Sequence, residues 1–324
     1  MTNITEIAKK ANVSRTTVSR VLNNHPYVKP EKRDAVLKAM KELNYVPNFN
    51  AINLSRGKTN VFGVIVPKIN HPFFSKLIAG IGEECNKHNY SLLVHQSNND
   101  PEQEMEFFNR LKYKLIDGLI LGSCVSPPHV LDEISGFGNI VSCEASASKQ
   151  VAHIFINHES GIKMAIDHLR NQGHQSIGLC IGNPKSGVGI SRKKSFFHFQ
   201  NEYGLKWSDN WYFEEQYTIE NGIEIAKLLL NKSPRPAAMV VGSDYVAAGI
   251  IYEAKRQGIR IPEELAIIGF DNQPISKVIE LSTIHQPIKE LGQTAANLLY
   301  NLMNNKDVPN INKLNLKLIK RKST

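Results

Sequence analysis

Cysteine is scarce: four residues in 324, at Cys85, Cys124, Cys143 and Cys180, with no Cys-x-x-Cys pair among them. Such wide spacing argues against a zinc site or a disulfide framework and suits a reducing cytoplasm. Long hydrophobic runs are missing as well, and Met1-Thr2-Asn3-Ile4-Thr5-Glu6 holds no apolar signal core. A cytoplasmic protein, neither secreted nor inserted in a membrane, is therefore expected. Catalytic signatures are lacking too. Gly182-Asn183-Pro184-Lys185-Ser186-Gly187 begins with the spacing of a phosphate-binding loop, but Val188-Gly189 stand where its lysine and hydroxyl residue belong, which leaves a flexible loop. Gly80-Ile81-Gly82 and Gly136-Phe137-Gly138 lack the third glycine of a dinucleotide fingerprint, and neither Gly-x-Ser-x-Gly nor His-Glu-x-x-His occurs. The eleven histidines show no metal-ligand spacing, and His158 and His168 read as surface or helix-cap residues. No catalytic residue, metal or cofactor is expected.

What is present is a soluble composition, 41% hydrophobic and 21% charged, in a chain long enough for a small domain plus a larger one or two. Charge is uneven. Residues 1–58 hold eleven Lys/Arg against four Asp/Glu, so +7 of the formal +9 lies in that segment. A compact basic segment is the footprint of a phosphate-backbone ligand, because neutralising phosphates releases condensed counterions.

Asn3-Ile4-Thr5-Glu6 has the form of a capping box, with Asn3 accepting from first-turn amides and Glu6 reaching back to the Asn3 N–H. Ile4, Ile7, Ala8 and Ala11 then recur at helical spacing up to about Asn12. Ser14 caps a second helix whose Val18, Val21 and Leu22 face inward. The opposite face of that helix carries Arg15, Thr16, Ser19, Arg20 and Asn23, which have no core role and suit base edges and phosphates; Arg15 and Thr16 are the expected base readers. Pro30 with Ala35, Leu37, Met40 and Leu43 marks a third helix, ending before Tyr45 and Pro47.

Ile4-Thr5-Glu6-Ile7-Ala8 followed by Val13-Ser14-Arg15-Thr16-Thr17-Val18-Ser19-Arg20-Val21-Leu22-Asn23 resembles the signature of the lactose-repressor/galactose-repressor family. The resemblance implies DNA contacts by Thr5, Ser14, Arg15, Thr16, Thr17, Ser19, Arg20, Asn23, Lys29 and Tyr45. It also implies a hinge over 47–58 that becomes helical on the operator. There Asn48, Ala51 and Leu54 match family positions, and Leu54 matches the leucine that enters the minor groove as a wedge. Ile52 departs from the arginine often found after the hinge alanine.

From Val61 onward short apolar strands alternate with helical patterns, among them 62–66, 91–94, 118–121, 140–143, 177–180, 238–241 and 266–269. Continuous apolar strands belong to parallel sheets covered on both faces. The family resemblance continues through this region. The expected fold is an N-terminal all-α helix-turn-helix headpiece (1–46) plus an α/β periplasmic-binding-protein-like domain of two doubly wound parallel-sheet lobes (59–324). The N-lobe would comprise about 59–157 with 287–316, and the C-lobe about 158–286 with the C-terminal strand.

In doubly wound sheets ligands sit beyond the carboxyl ends of the strands. Phe73 and Phe74 resemble the family's pocket-wall aromatics, with plain core packing as the alternative. Glu144 occupies a position usually filled by Asp, Arg192 matches the arginine of an Arg-x-x-Gly-Phe pattern, and Ser243 holds a ligand position that is often Asn. Asp271 in Gly269-Phe270-Asp271 matches a ligand carboxylate, and Tyr217 stands where the family places a stacking aromatic, core packing again being the alternative. Asp244 reads as a helix cap. The resemblance implies a regulator that binds double-stranded operator DNA as a homodimer, most readily a repressor of a carbohydrate-use operon with a sugar effector. A purine or other metabolite as corepressor, and a protein corepressor, are the alternatives within the family, and a solute-binding receptor is the alternative outside it. No heptad segment follows Leu318-Ile319-Lys320-Arg321, which favours a dimer over a tetramer.

Overall fold

The computed structural model describes residues 3–23, 25–46, 57–231, 233–306 and 313–324. Asn48, Ala51, Ile52 and Leu54 lie outside these residues. The chain divides into two units, Met1–Thr59 and Asn60–Thr324.

The first unit holds α1 (Ile4–Lys10), α2 (Arg15–Leu22) and α3 (Pro30–Glu42). Asn3 caps α1 by accepting from the Thr5 and Glu6 amides, while the Glu6 carboxylate meets the Asn3 side-chain amide at 3.5 Å rather than its backbone N–H. Ser14 caps α2, its hydroxyl accepting from the Thr17 amide at 3.1 Å. Ile7, Ala8, Val18, Val21, Val36 and Ala39 close the core. Leu37, expected inside, is 49% exposed; Val36 and Ala39 face inward in its place, with Met40 and Leu43 packed beside them. Lys10 pairs with Glu42 at 2.8 Å between α1 and α3, and both side chains are nearly half exposed, so the pair contributes little to stability.

The second unit begins with β1 (Val61–Val66), α4 (Pro72–Lys87), β2 (Ser91–Gln96), α5 (Pro101–Lys112), β3 (Gly118–Leu121), α6 (Pro128–Ser135), β4 (Ile140–Ser142) and β5 (Ala152–His153). Its strands pair in the order β2-β1-β3-β4-β5, all parallel. After β6 (Phe155–Ile156) come α7 (His158–Asn171), β7 (Ile177–Cys180), α8 (Gly187–Glu202), β8 (Tyr212–Phe213), α9 (Ile219–Leu230) and β9 (Ala238–Val241). Then follow α10 (Asp244–Arg256), β10 (Ala266–Phe270), α11 (Pro274–Val278), β11 (Ser282–His285), α12 (Ile288–Met303), β12 (Lys313–Leu314) and β13 (Lys317–Ile319). The second sheet runs β13-β11-β10-β9-β7-β8, and β12 pairs with β6. β13 is antiparallel to β11, a departure from the all-parallel expectation. It arrives directly from β12 instead of through a crossover helix, which frees it from the parallel sense.

Each sheet is buried on both faces, as its apolar strands require. One N-lobe core joins Val64, Leu77, Ile81, Ile288 and Leu299, and the opposite face packs Phe107, Phe108 and Leu119. The C-lobe is built likewise around Phe196 and Ile268 on one face and Ile250 and Ile267 on the other. The chain passes between lobes at Asn157, Gln286-Pro287 and Asn315-Leu316, since Ile156, Ile288 and Leu314 belong to the first lobe's core and Ile162 and Ile284 to the second's.

Helices α4 and α12 touch backbone to backbone: a Cβ on Gly292 would lie 2.3 Å from the Leu77 carbonyl oxygen. Alanine there must push the helices apart, so Gly292→Ala is expected to lower stability by about 1–3 kcal/mol, or more, in chemical denaturation. An unchanged midpoint would contradict this packing.

Candidate effector cavity and DNA-binding face

In the first unit, Arg15, Thr16 and Arg20 are exposed on α2, with Ser19 and Asn23 half-buried. Ser14 and Thr17 bond to each other through their hydroxyls at 2.9 Å, so both serve the cap that starts the helix. Thr5 is exposed on the first turn of α1, Lys29 is exposed just before α3, and Tyr45 packs half-buried against the three-helix core. Arg15 and Thr16 therefore stand at the N-terminal turn of a short helix, where the amides and the positive end of the dipole favour phosphate.

In the second unit a cavity of about 460 Å³ is lined by residues that follow strand ends of both sheets: Lys68, Asn98, Ser123 and Glu144 from one lobe, Asn183, Glu215, Gly242 and Asp271 from the other. The geometry is the one that parallel sheets impose, with the carboxyl ends of the strands opening on a common cleft. All seven residues proposed from sequence line it: Phe73, Phe74, Glu144, Arg192, Tyr217, Ser243 and Asp271.

Arg192, on α8, is buried with its Nη1 donating to the Gly242 carbonyl at 2.9 Å and its guanidinium carbon 4.4 Å from the centre of the Phe270 ring. Asp271 is buried immediately after β10 and accepts from Gln286 Nε2. Burial pushes the Asp271 carboxyl above its usual range, against the pull of Arg192 and His71. Burial also pushes Glu144 up to about 7, although a hydrogen bond from Ser123 opposes it. The aromatic wall spans both lobes. Phe73 and Phe74 meet edge to face at 5.2 Å, and Lys68 Nζ of the first lobe stands 5.6 Å from the Tyr217 ring of the second.

Two histidines in this cavity were not among the sequence candidates. His71 caps α4 with its ring Nδ1, and burial lowers its pKa; His158 opens α7, where burial and then the neighbouring Arg192 hold its pKa well below the usual histidine value. Both follow strand ends, so the strand-end rule applied to Asn70-His71-Pro72 and Asn157-His158 would have found them. His158 is thus a cavity residue rather than a surface one, and His168 is buried against Thr324 Oγ1 at 2.7 Å. Asp244 is not the cap: Ser243 caps α10 and also lines the cavity, whereas Asp244 is fully buried and accepts from the Gln273 amide at 2.6 Å and Thr283 Oγ1 at 2.7 Å.

Residues 3–48 match the family model of bacterial regulatory proteins, lacI family, and residues 166–324 match a periplasmic binding protein-like domain. The NTD biosynthesis operon regulator NtdR of Bacillus subtilis (strain 168) is 41% identical over 329 residues, covering 100% of both chains. The chain belongs to the lacI family of bacterial regulatory proteins. Among solved structures, this LacI-family regulator is similar to the lac repressor dimer bound to operator and the anti-inducer ONPF, with a TM-score of 0.88 at 25% identity over 99% of this chain and 98% of that one. A LacI-family regulator from Lactobacillus casei solved with bound sucrose matches at a TM-score of 0.76 and 28% identity, over 82% of this chain and 99% of that one. The LacI-family chain is accordingly a DNA-binding transcriptional regulator with a helix-turn-helix headpiece and a small-molecule effector domain. Among the described residues no helix is long and apolar enough to cross a membrane, and no cluster of His, Cys, Asp and Glu is arranged to hold a metal.

Proposed function

We propose that this regulator is a repressor that binds a pseudo-palindromic operator as a homodimer and is controlled by a sugar held in the cavity between its lobes. The observation that carries the sugar reading is the meeting in one cavity of Arg192 and Asp271 with Phe73, Phe74 and Tyr217. A buried guanidinium and carboxylate offer donors and acceptors to neighbouring hydroxyls, and aromatic faces receive the apolar face of a pyranose. Arg15 and Thr16 read base edges while Arg20 and Lys29 contact phosphate, and two-fold symmetry of the dimer matches paired half-sites. The relatives support the reading: the Lactobacillus casei regulator has been solved with sucrose and with glucose, and the lac repressor as a dimer on its operator.

Fluorescence polarisation against palindromic DNA across a salt series, with and without mono- and disaccharides and purine bases, tests this. Specific, steeply salt-dependent binding shifted by one sugar is the expected result. A shift by a purine alone would replace the sugar, and salt-insensitive or absent binding would remove the proposed operator contacts.

A further inference from the structure

We infer that Gln286 is a positioning residue that sets the orientation of the Asp271 carboxylate from the crossover between the lobes. The inference rests on the reading of the cavity as the effector site. Gln286 itself is fully buried and does not line the cavity; its Nε2 donates to Asp271 Oδ1. It lies on the chain segment that leaves β11 in the C-lobe and enters α12, whose Ile288, Leu291 and Leu299 pack in the N-lobe core. A single side-chain amide therefore joins a cavity carboxylate to a passage between the lobes.

The backbone at Asp271 is unusual and has supports of its own. Its φ is +99° and that of Asn272 is +50°, two successive residues in the region that L side chains avoid. The turn is held from several sides: the Asp271 amide donates to the Ile284 carbonyl at 2.9 Å, the Asn272 amide to Thr283 Oγ1 at 3.3 Å, and the Gln273 amide to Asp244 Oδ2 at 2.6 Å. These bonds fix the backbone. Orientation of the carboxylate is left to Gln286 and to charges around it: Arg192 from α8, His71 and Lys76 from the α4 segment, and the opposing carboxylate of Asp244 from α10.

The charge balance makes the role separable from packing. Burial holds the Asp271 carboxyl above its usual range, and the Gln286 bond pulls it down. A carboxyl whose pKa is higher folded than unfolded contributes stability that is complete in acid and is lost as pH rises through the folded value. Asp244, pushed up to about 8 by burial and by Asp271, adds a similar fall in the wild-type protein. Removing the Gln286 donor raises Asp271 further, so the deficit of such a variant grows with pH.

The test uses the full chain and the variants Gln286→Leu and Gln286→Glu, melted without ligand from about pH 5 to about pH 8 and titrated with glucose and sucrose. Gln286→Leu should melt progressively further below wild type as pH rises. Gln286→Glu should be close to wild type in acid, where its protonated carboxyl can donate to Asp271, and fall below Gln286→Leu in alkali, where two carboxylates face each other. Affinity for whichever sugar binds wild type should drop about ten-fold in Gln286→Leu, the usual scale for a bond to a charged group. A melting deficit that is the same at every pH in both variants, or unchanged sugar affinity, would overturn the inference. If neither sugar binds wild type, glucose and sucrose are excluded as the effector, and the ligand-free melting profiles alone decide the role of Gln286.

Discussion

Arg192→Met should abolish the effector response and cost the protein about 1–3 kcal/mol of stability, the scale expected when a part-buried carbonyl loses its donor. Arg192 and Asp271 are both buried, and each shifts the other's ionisation toward the charged form. Without the guanidinium, the Asp271 carboxylate keeps its burial and loses its principal compensating charge. The Gly242 carbonyl also loses a donor. The double variant Arg192→Met with Asp271→Asn removes both charges and should recover much of the stability, because an uncharged pair has no ionic desolvation to offset. It should not recover effector binding, for which both groups are proposed ligands. Urea denaturation of the two variants, with effector titrations by calorimetry alongside, measures both quantities. Equal destabilisation of single and double variants would show that Arg192 acts through packing on Phe270 rather than through charge.

Arg15→Ala is expected to weaken specific operator binding by about 1–3 kcal/mol, roughly 5- to 150-fold, and to relax the base preference at one position of each half-site. The folded headpiece should not notice, because Arg15 is exposed and its cap is supplied by Ser14. Lys29→Ala, by contrast, removes a proposed phosphate contact. It should weaken binding about equally on all sequences and reduce the salt slope by about one. Polarisation titrations of both variants on specific and scrambled duplexes separate the two patterns. Specific binding by Arg15→Ala that matches wild type would take base reading away from this residue.

The headpiece was the most legible part of the sequence. Its caps at Asn3 and Ser14 and the inward spacing of Val18 and Val21 are local, and local hydrogen bonds decide where such short helices start. The third helix is less legible. Its amphipathic signal is weak, and only packing against α1 and α2 selects Val36 and Ala39 over Leu37. The parallel strands were equally plain, since burial on both faces demands continuous apolar runs, but the antiparallel sense of β13 depends on where the chain re-enters the lobe.

At the cavity, place after a strand points to Asp271, because chain direction in a parallel sheet decides which end of each strand meets the cleft, whereas Arg192, inside α8, and Tyr217 were nominated by the family resemblance. Whether an individual side chain there is a wall, a cap or a buried anchor does not follow from that rule. Asp244 and Ser243 are adjacent and both polar, yet Ser243 caps the helix at the cavity and Asp244 is buried beneath the turn after β10. His71 and His158 follow strand ends and were open to the same rule, but Gln286 gains its place only when the crossover meets the turn after β10. Fold class and DNA-binding chemistry were thus determined by periodicity, capping and charge along the chain, which are local properties. Partners of the buried charges were decided by tertiary structure, because desolvation and Coulombic pairing depend on distances between residues that the linear order leaves open.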